Sequence, residues 1–444
     1  MMKLKIATLL VLGTLGCSAQ AQTQESNVWS LRQCIDYAIE HNIDIQRAKN
    51  LTDQSTVDVN TAKWSRLPNV NGSASQNWSW GRGTSPKDNT IKDNINSSQL
   101  GFGAQTDIPI FTGFRLSNQY SLSKLNLKAS IEDLNKAKED LSINVASTYL
   151  QALLDLELRN IAQKQTEISK AQWNRLKELF NEGKASTAEV VEAEARVSQD
   201  EMNAVKAENA YKLSLLNLSQ LLELPNPEKI ELEAPVDEVV FTSLSPIDDI
   251  YLQSINNKPV VKAAQYRLSG SDKEIKIAQS GYYPELNLNA GLSTGYYSID
   301  GIASEGFKTQ LKSNLRKYVG LSLNIPIFNR FETRNRIRKA KLQKIGQVLI
   351  LDNTKKALYK EIQQAWYNAL TAESKYNASL SSVEANQKSF QLISEKYANG
   401  KATSIEYNEA KFNLTKAQSE KVQSKYNYLF SSKIINFYKG IPIE

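Results

Sequence analysis

The stretch Val319-Gly320-Leu321-Ser322-Leu323-Asn324-Ile325-Pro326-Ile327-Phe328 decides the fold, because the hydrophobic period changes where it ends. Val319, Leu321, Leu323, Ile325 and Ile327 alternate with Gly320, Ser322, Asn324 and Pro326. A period of two gives a strand one apolar and one polar face. From Asn329 to Lys396 there is no proline and one glycine, Gly346. A strand therefore feeds into one very long helix. At ~1.5 Å per residue such a helix reaches on the order of 100 Å, where ordinary globular helices run roughly 8–20 residues.

The same passage occurs earlier. Leu100, Phe102, Ala104, Thr106, Ile108 and Ile110 alternate with Gly101, Gly103, Gln105, Asp107 and Pro109, and Phe114 to Leu179 lacks Gly and Pro. Leu67-Pro68 answers Tyr283-Pro284, Ile108-Pro109-Ile110-Phe111 answers Ile325-Pro326-Ile327-Phe328, and Phe180-Asn181-Glu182-Gly183 answers Tyr397-Ala398-Asn399-Gly400. The landmarks keep their order at an offset of 216 or 217 residues, which marks a duplication. Each half reads as a helix, two strands, a very long helix and a shorter helix. Leu286, Leu288, Ala290 and Leu292 give one further strand, and Val70 to Trp80 a weaker one. The returning helices are Thr187 to Leu222 and Ser404 to Phe437, turned at Gly183 and Gly400 into two α-hairpins. Leu134, Leu141, Val145 and Tyr149, then Ala365, Leu370 and Tyr376, mark the expected apolar seams. Residues 22–224 form the first repeat, 225–247 a linker without helical period, and 248–444 the second repeat.

The N-terminus reads as an export leader, with Lys3 and Lys5, the apolar Ile6 to Leu15, and Ala19-Gln20-Ala21 as the cleavage site, so residues 1–21 are removed. The alternative is a lipoprotein signal acylated at Cys17. Thr14 stands three residues before it, where Leu is usual, which argues against lipidation. After cleavage Cys34 is the lone cysteine, expected as a small buried apolar residue. The chain carries 54 Lys and Arg against 47 Asp and Glu, dispersed along the helices, which gives no case for nucleic-acid binding. Mean hydropathy is −0.44, and beyond the leader no apolar run approaches the ~20 residues of a spanning helix.

The strands are another matter. Each reads as roughly 9–11 residues, the length of a tilted transmembrane β-strand. Trp78, Trp80, Phe111, Tyr296, Tyr297, Tyr318 and Phe328 flank them, as interfacial girdles flank an outer-membrane barrel. A soluble antiparallel sheet is the rival; the Asn, Ser and Gly face and the leader favour the barrel. Four strands cannot close, and open edges are not tolerated in lipid. Two copies supply eight strands, whose interior side chains fill, and three supply twelve, which leave a lumen. The copy number is not fixed by this argument.

The opening Trp29-Ser30-Leu31-Arg32-Gln33-Cys34-Ile35-Asp36-Tyr37-Ala38 with Asn42, the Leu-Pro before the first strand pair, the Pro-Ile-Phe closing each pair, the aromatic-x-x-Gly turns and the duplication together resemble the TolC family of outer-membrane efflux proteins. The resemblance covers nearly the whole mature chain. It implies an α+β membrane protein and a homotrimer. Four transmembrane strands per protomer would contribute to a twelve-stranded β-barrel in the outer membrane. Long antiparallel α-helical hairpins would form a periplasmic α-barrel. The hairpin tips close that tube and meet a periplasmic adaptor, which links it to an inner-membrane transporter. Carried over by position, Glu189, Tyr397, Glu406 and Glu409 fall at the periplasmic gate. Gly183, Lys184, Ala185, Ser186, Gly400, Lys401, Ala402 and Thr403 fall at the adaptor contact. The chain departs from the pattern at Ala402, where the best-known member has a gate arginine; Lys401 and Lys184 are the available substitutes. Ordinary helix-start acids and cap glycines explain the same positions without a gate.

No cofactor or metal is expected. There is one histidine, His41, and no nucleotide loop, nucleophile motif or metal-ligand cluster, so the chain does not read as an enzyme. The expected function is the outer-membrane exit duct of a tripartite efflux pump for small molecules. Type I protein secretion is the alternative within that class, and a non-conducting coiled-coil envelope protein the alternative outside it.

Overall fold

Two helices of 67 residues each, one in each repeat, are the longest elements among the described residues. The computed structural model describes residues 28–84, 90–227, 230–234, 241, 244–300 and 302–443; the leader and Cys17 lie outside them, as does part of the linker. In chain order the elements are β1 (Val28–Trp29), α1 (Leu31–His41), α2 (Ile43–Trp64), β2 (Asn69–Thr84), β3 (Ile91–Thr112), α3 (Arg115–Asn181), α4 (Thr187–Leu221), β4 (Glu231–Leu232), α5 (Ile247–Asn257), α6 (Pro259–Gln279), a 3-10 turn (Ser280–Tyr282), β5 (Glu285–Ile299), α7 (Phe307–Ser313), β6 (Arg316–Asn324), α8 (Glu332–Ala398) and α9 (Ser404–Tyr438).

The duplication reaches into details the sequence pattern leaves open. Each half begins with two helices rather than the one expected. The first break is at Asn42, whose extended backbone ends α1 while its side chain caps α2 by accepting from the Asp44 amide at 2.9 Å. The second is at Lys258, held extended by the following Pro259. The strand-to-helix turns also match. Gly113 and Phe114 have φ of 59° and 64°, and Arg330 and Phe331 have 53° and 63°. Both turns thus use two consecutive left-handed residues, although only Gly113 adopts that conformation without a steric cost.

β2, β3, β5 and β6 form one antiparallel sheet in that order. Its register lines up the alternation across the strands. Val70, Thr106, Ala290 and Val319 stand side by side, as do Ile108, Leu288 and Leu321. On the other face lie Asn71, Gln105, Gly291 and Tyr318, and Ser73, Gly103, Ser293 and Arg316. Apolar side chains on the first face are open to the surroundings: Val70 and Val319 are each 77% exposed. The strands correct the expected 9–11 residues. β2, β3 and β5 have 16, 22 and 15 residues, because β2 and β3 stay paired past Trp80 as far as Thr84 and Ile91; β6 has 9. β6 stops at Asn324, short of the expected Ile327, because Pro326 has no amide to donate. β3 passes the equivalent Pro109 through a bulge between Pro109 and Phe111. α7 sits between β5 and β6, tied down where the Gln310 side chain bonds both the amide and the carbonyl of Tyr297 at 2.9 Å.

Beyond the sheet, α2, α3, α6 and α8 lie against one another in that order. Two cores follow, one per half. The first gathers Cys34, Val145, Leu153, Leu218 and Leu222 between α1, α3 and α4, and the second gathers Ile250, Val261, Leu358, Ile362 and Ala369 between α5, α6 and α8. Cys34 is fully buried, and burial pushes its thiol up to about 12. In the seams, Leu141, Val145 and Tyr149 are buried and Leu134 partly so; Ala365 and Tyr376 are buried, but Leu370 faces out and Ala369 takes its place.

Candidate functional site at the hairpin tips

α3 and α4 form one hairpin and α8 and α9 the other, and their turns are alike. Gly183 and Gly400 have φ of 73° and 68°, the left-handed conformation glycine supplies at a helix end. Lys184 and Lys401 amides reach back to Leu179 and Lys396 carbonyls at 2.8 Å. The returning helices start with capping boxes. Ser186 caps α4, and Glu189 accepts from the Ser186 amide at 2.7 Å; Thr403 caps α9, and Glu406 accepts from the Thr403 amide at 2.7 Å. These hydrogen bonds hold both carboxyls below the usual carboxylate range. Glu409 is exposed one turn further along α9. Gly183, Lys184, Ser186, Gly400, Lys401 and Thr403 are exposed, and Ala185 and Ala402 partly so. Lys184 pairs with Glu182 of its own turn at 2.9 Å, and Lys401 has no carboxylate partner among the described residues.

What ties the hairpins together lies on another face. In the second hairpin Tyr407, Ala410, Leu414 and Ala417 of α9 are buried. Polar contacts join the two hairpins. Gln172 of α3 donates to the Tyr397 hydroxyl at 3.3 Å, and Tyr397 stacks on Tyr407 with ring centroids 4.8 Å apart. Burial pushes the Tyr397 hydroxyl pKa up. Ser404 and Asn408 donate to Glu192 of α4 at 3.4 and 3.3 Å. Thr415 donates to Gln165 at 3.1 Å. The deepest contact is ionic. Lys411 is 5% exposed, donates to the Ser169 hydroxyl at 2.6 Å and lies 3.4 Å from the Asp200 carboxylate, which the Ser169 hydroxyl also meets. Burial lowers the Lys411 pKa, against the opposing pull of Asp200.

Of the residues expected at a gate, Tyr397 and Glu189 border one small recess, with Gln172, Glu192, Tyr407 and Lys411. Glu406 and Glu409 lie outside it. Gln172, Glu192, Asp200, Ser169 and Lys411 carry the inter-hairpin contacts, and the sequence reading missed them. One signal was present: Ser404, Asn408, Lys411 and Thr415 recur at three and four, a polar stripe where an apolar one is usual. Away from the tips, His41 is exposed and stacks on Tyr37 at 4.0 Å. No group of three His, Cys, Asp or Glu among the described residues could hold a metal ion.

The family model described as "Outer membrane efflux protein" matches residues 34–223 and 250–435. The outer membrane protein TolC of Escherichia coli is 24% identical over 437 residues, covering 97% of this chain and 85% of its own. Among solved structures, the Campylobacter jejuni CmeC outer membrane channel superposes with a TM-score of 0.80 at 20% identity, covering 100% of this chain and 94% of its own. The open state of the Neisseria gonorrhoeae MtrE outer membrane channel gives 0.74 at 18% identity, covering 93% and 89%. These relatives are named as outer-membrane proteins and channels, not as enzymes.

Proposed function

The chain belongs to the outer membrane efflux protein family, and from that premise we propose that it is the outer-membrane exit duct of a tripartite pump, working as a homotrimer. The observation that carries this is the agreement between its two walls. The sheet runs β2-β3-β5-β6 and the helices beneath it run α2-α3-α6-α8, so β2 and α2 form one open edge and β6 and α8 the other. Both edges expose what a neighbour would cover. β2 and β6 have unpaired backbone, α2 exposes Leu51 and Val57, and α8 exposes Leu342, Ile345 and Leu349. A single copy in lipid would leave unpaired strand edges, each polar group costing several kcal/mol. Three copies joined edge to edge close twelve strands and twelve helices at once, with the polar sheet face lining a lumen.

In this reading the apolar face meets outer-membrane lipid and the hairpins extend the lumen through the periplasm. The tips, Gly183-Lys184-Ala185-Ser186 and Gly400-Lys401-Ala402-Thr403, meet a periplasmic adaptor that joins the duct to an inner-membrane transporter. Glu406 and Glu409 from three copies form carboxylate rings at the mouth, which favour cations there. Tyr397 and Glu189 belong to the contacts that hold the mouth shut. The cargo is small molecules such as drugs or toxic compounds.

The test is conductance of the purified protein in a planar bilayer, as wild type and as Glu406→Ala/Glu409→Ala. Discrete channels, larger or less cation-selective in the variant, support the duct and the ring. Channels indifferent to the change remove the ring. A well-folded protein without channels removes the duct.

A further inference from the structure

We propose that the membrane-proximal end of α8 is a binding surface for anionic phospholipid headgroups in the leaflet facing the periplasm, built from Arg334, Arg338 and Lys341. The inference rests on the reading of the sheet as membrane-spanning, and names what lies immediately beneath it.

Between Phe328 and Lys344 the chain carries seven Lys and Arg and a single acid, Glu332. Two of the seven are engaged: Arg336 with Glu332 and Lys344 with Asp272. Among the described residues no carboxylate pairs with Arg334, Arg338 or Lys341, and all three are exposed. Arg334 also sits in the first turn of α8, where the helix dipole presents its positive end and cations are disfavoured. Neither packing nor the helix itself accounts for them.

Their side is set by the aromatics. Phe111 lies in register with Leu286 and Leu323, on the apolar face of the sheet, and meets Phe114 edge to face at 5.3 Å. The second repeat copies this with Phe328 and Phe331 at 5.6 Å, and the Arg334 guanidinium lies over the Phe331 ring at 5.8 Å. Arg334 therefore continues the apolar, aromatic side of the sheet. Arg338 and Lys341 follow at i+4 and i+7, on the same helix face. Ile327 and Phe328, 94% and 71% exposed, mark where the apolar band ends.

Depth agrees with side. At ~1.5 Å per residue, Arg334, Arg338 and Lys341 lie at most about 5, 10 and 15 Å beyond Phe331. A headgroup layer is roughly 5–8 Å thick. Side chains on a helix lean towards its N-terminus, which in α8 is the membrane end, so the long cations reach back into that layer. At the opposite edge α2 ends in Lys63-Trp64, followed by Ser65-Arg66, with Lys63 4.7 Å above the Trp64 ring, so a closed ring carries basic charge at this level on both sides of each joint.

The experiment compares the full-length protein with Arg334→Gln/Arg338→Gln/Lys341→Gln by native mass spectrometry, after exposure in detergent to phosphatidylglycerol or phosphatidylcholine. The expected result is preferential retention of phosphatidylglycerol by wild type, reduced in the variant by on the order of 10- to 100-fold, with phosphatidylcholine unchanged. Wild-type retention should also fall between about 0.1 M and 1 M salt. Equal retention of both lipids by wild type, or undiminished phosphatidylglycerol in the variant, overturns the proposal. Undiminished lipid with altered anion selectivity of the channel places these cations in the lumen, which also overturns it. Failure of wild type to insert into liposomes of either lipid instead overturns the membrane reading on which the proposal stands.

Discussion

Replacing Lys411 by Ala should release the two hairpins from each other without unfolding either. The ammonium sits against Ser169 at 2.6 Å and Asp200 at 3.4 Å, with side chains 7% and 11% exposed for Lys411 and Asp200. Removing one member of a buried pair leaves the other charge desolvated, at a cost of about 3–5 kcal/mol. Some water reaches this pair, so the lower end applies. About 3 kcal/mol corresponds to roughly a 150-fold rise in the local opening equilibrium. The neighbouring contacts, Glu192 with Ser404 and Asn408 at 3.4 and 3.3 Å, are exposed and cannot compensate. Hydrogen exchange by mass spectrometry reads this directly. Peptides covering 404–415 should lose protection by about two orders of magnitude, while α1 and the first core around Leu153 stay protected. Lys411→Met combined with Asp200→Leu and Ser169→Ala should restore most protection, because an apolar replacement of similar volume removes the stranded charge. Exchange within about three-fold of wild type in Lys411→Ala, or equal loss in the single and triple variants, would refute the electrostatic account.

Three further outcomes follow from the structure. The capping hydrogen bonds lower the pKa of Glu406, so its contribution is full above the ordinary carboxylate value and is lost as pH falls through the lowered one. Amide protection at 404–407 should therefore decline on acidification through that window, and Glu406→Gln should abolish the titration. Gly113→Ala places a Cβ 2.7 Å from the Ser280 carbonyl oxygen at a φ of 59°, and should destabilise the assembled protein by about 2 kcal/mol or more, read as a lowered thermal midpoint. Arg330→Gly, at the equivalent position, should not destabilise it. Ala185→Trp or Ala402→Trp should abolish efflux in a complemented deletion strain while trimers persist on gels; efflux unchanged in both would remove the adaptor assignment.

Much of this fold is local, and local structure is legible in sequence. The period of two in Val319 to Leu323 and the proline-free run from Asn329, broken by Gly346 alone, fixed a strand and a helix of unusual length without reference to anything distant. The duplication was legible because its landmarks, Pro109 with Pro326 and Gly183 with Gly400, are residues whose backbone constraints cannot be substituted freely. The capping boxes at Ser186-x-x-Glu189 and Thr403-x-x-Glu406 are also local, and the bland reading of those acids describes their geometry in the protomer. Other features required distance in sequence to become distance in space. Strand lengths followed from where partners ran out rather than from alternation. That Ala369 rather than Leu370 is buried followed from which face of α8 meets the second core. Above all, Ser169, Asp200 and Lys411 are separated by 31 and 211 residues, and each alone reads as a solvated position on a charged helix. Only the packing of one hairpin on the other removes their water, and it is desolvation that turns three ordinary polar residues into the contact joining the hairpins.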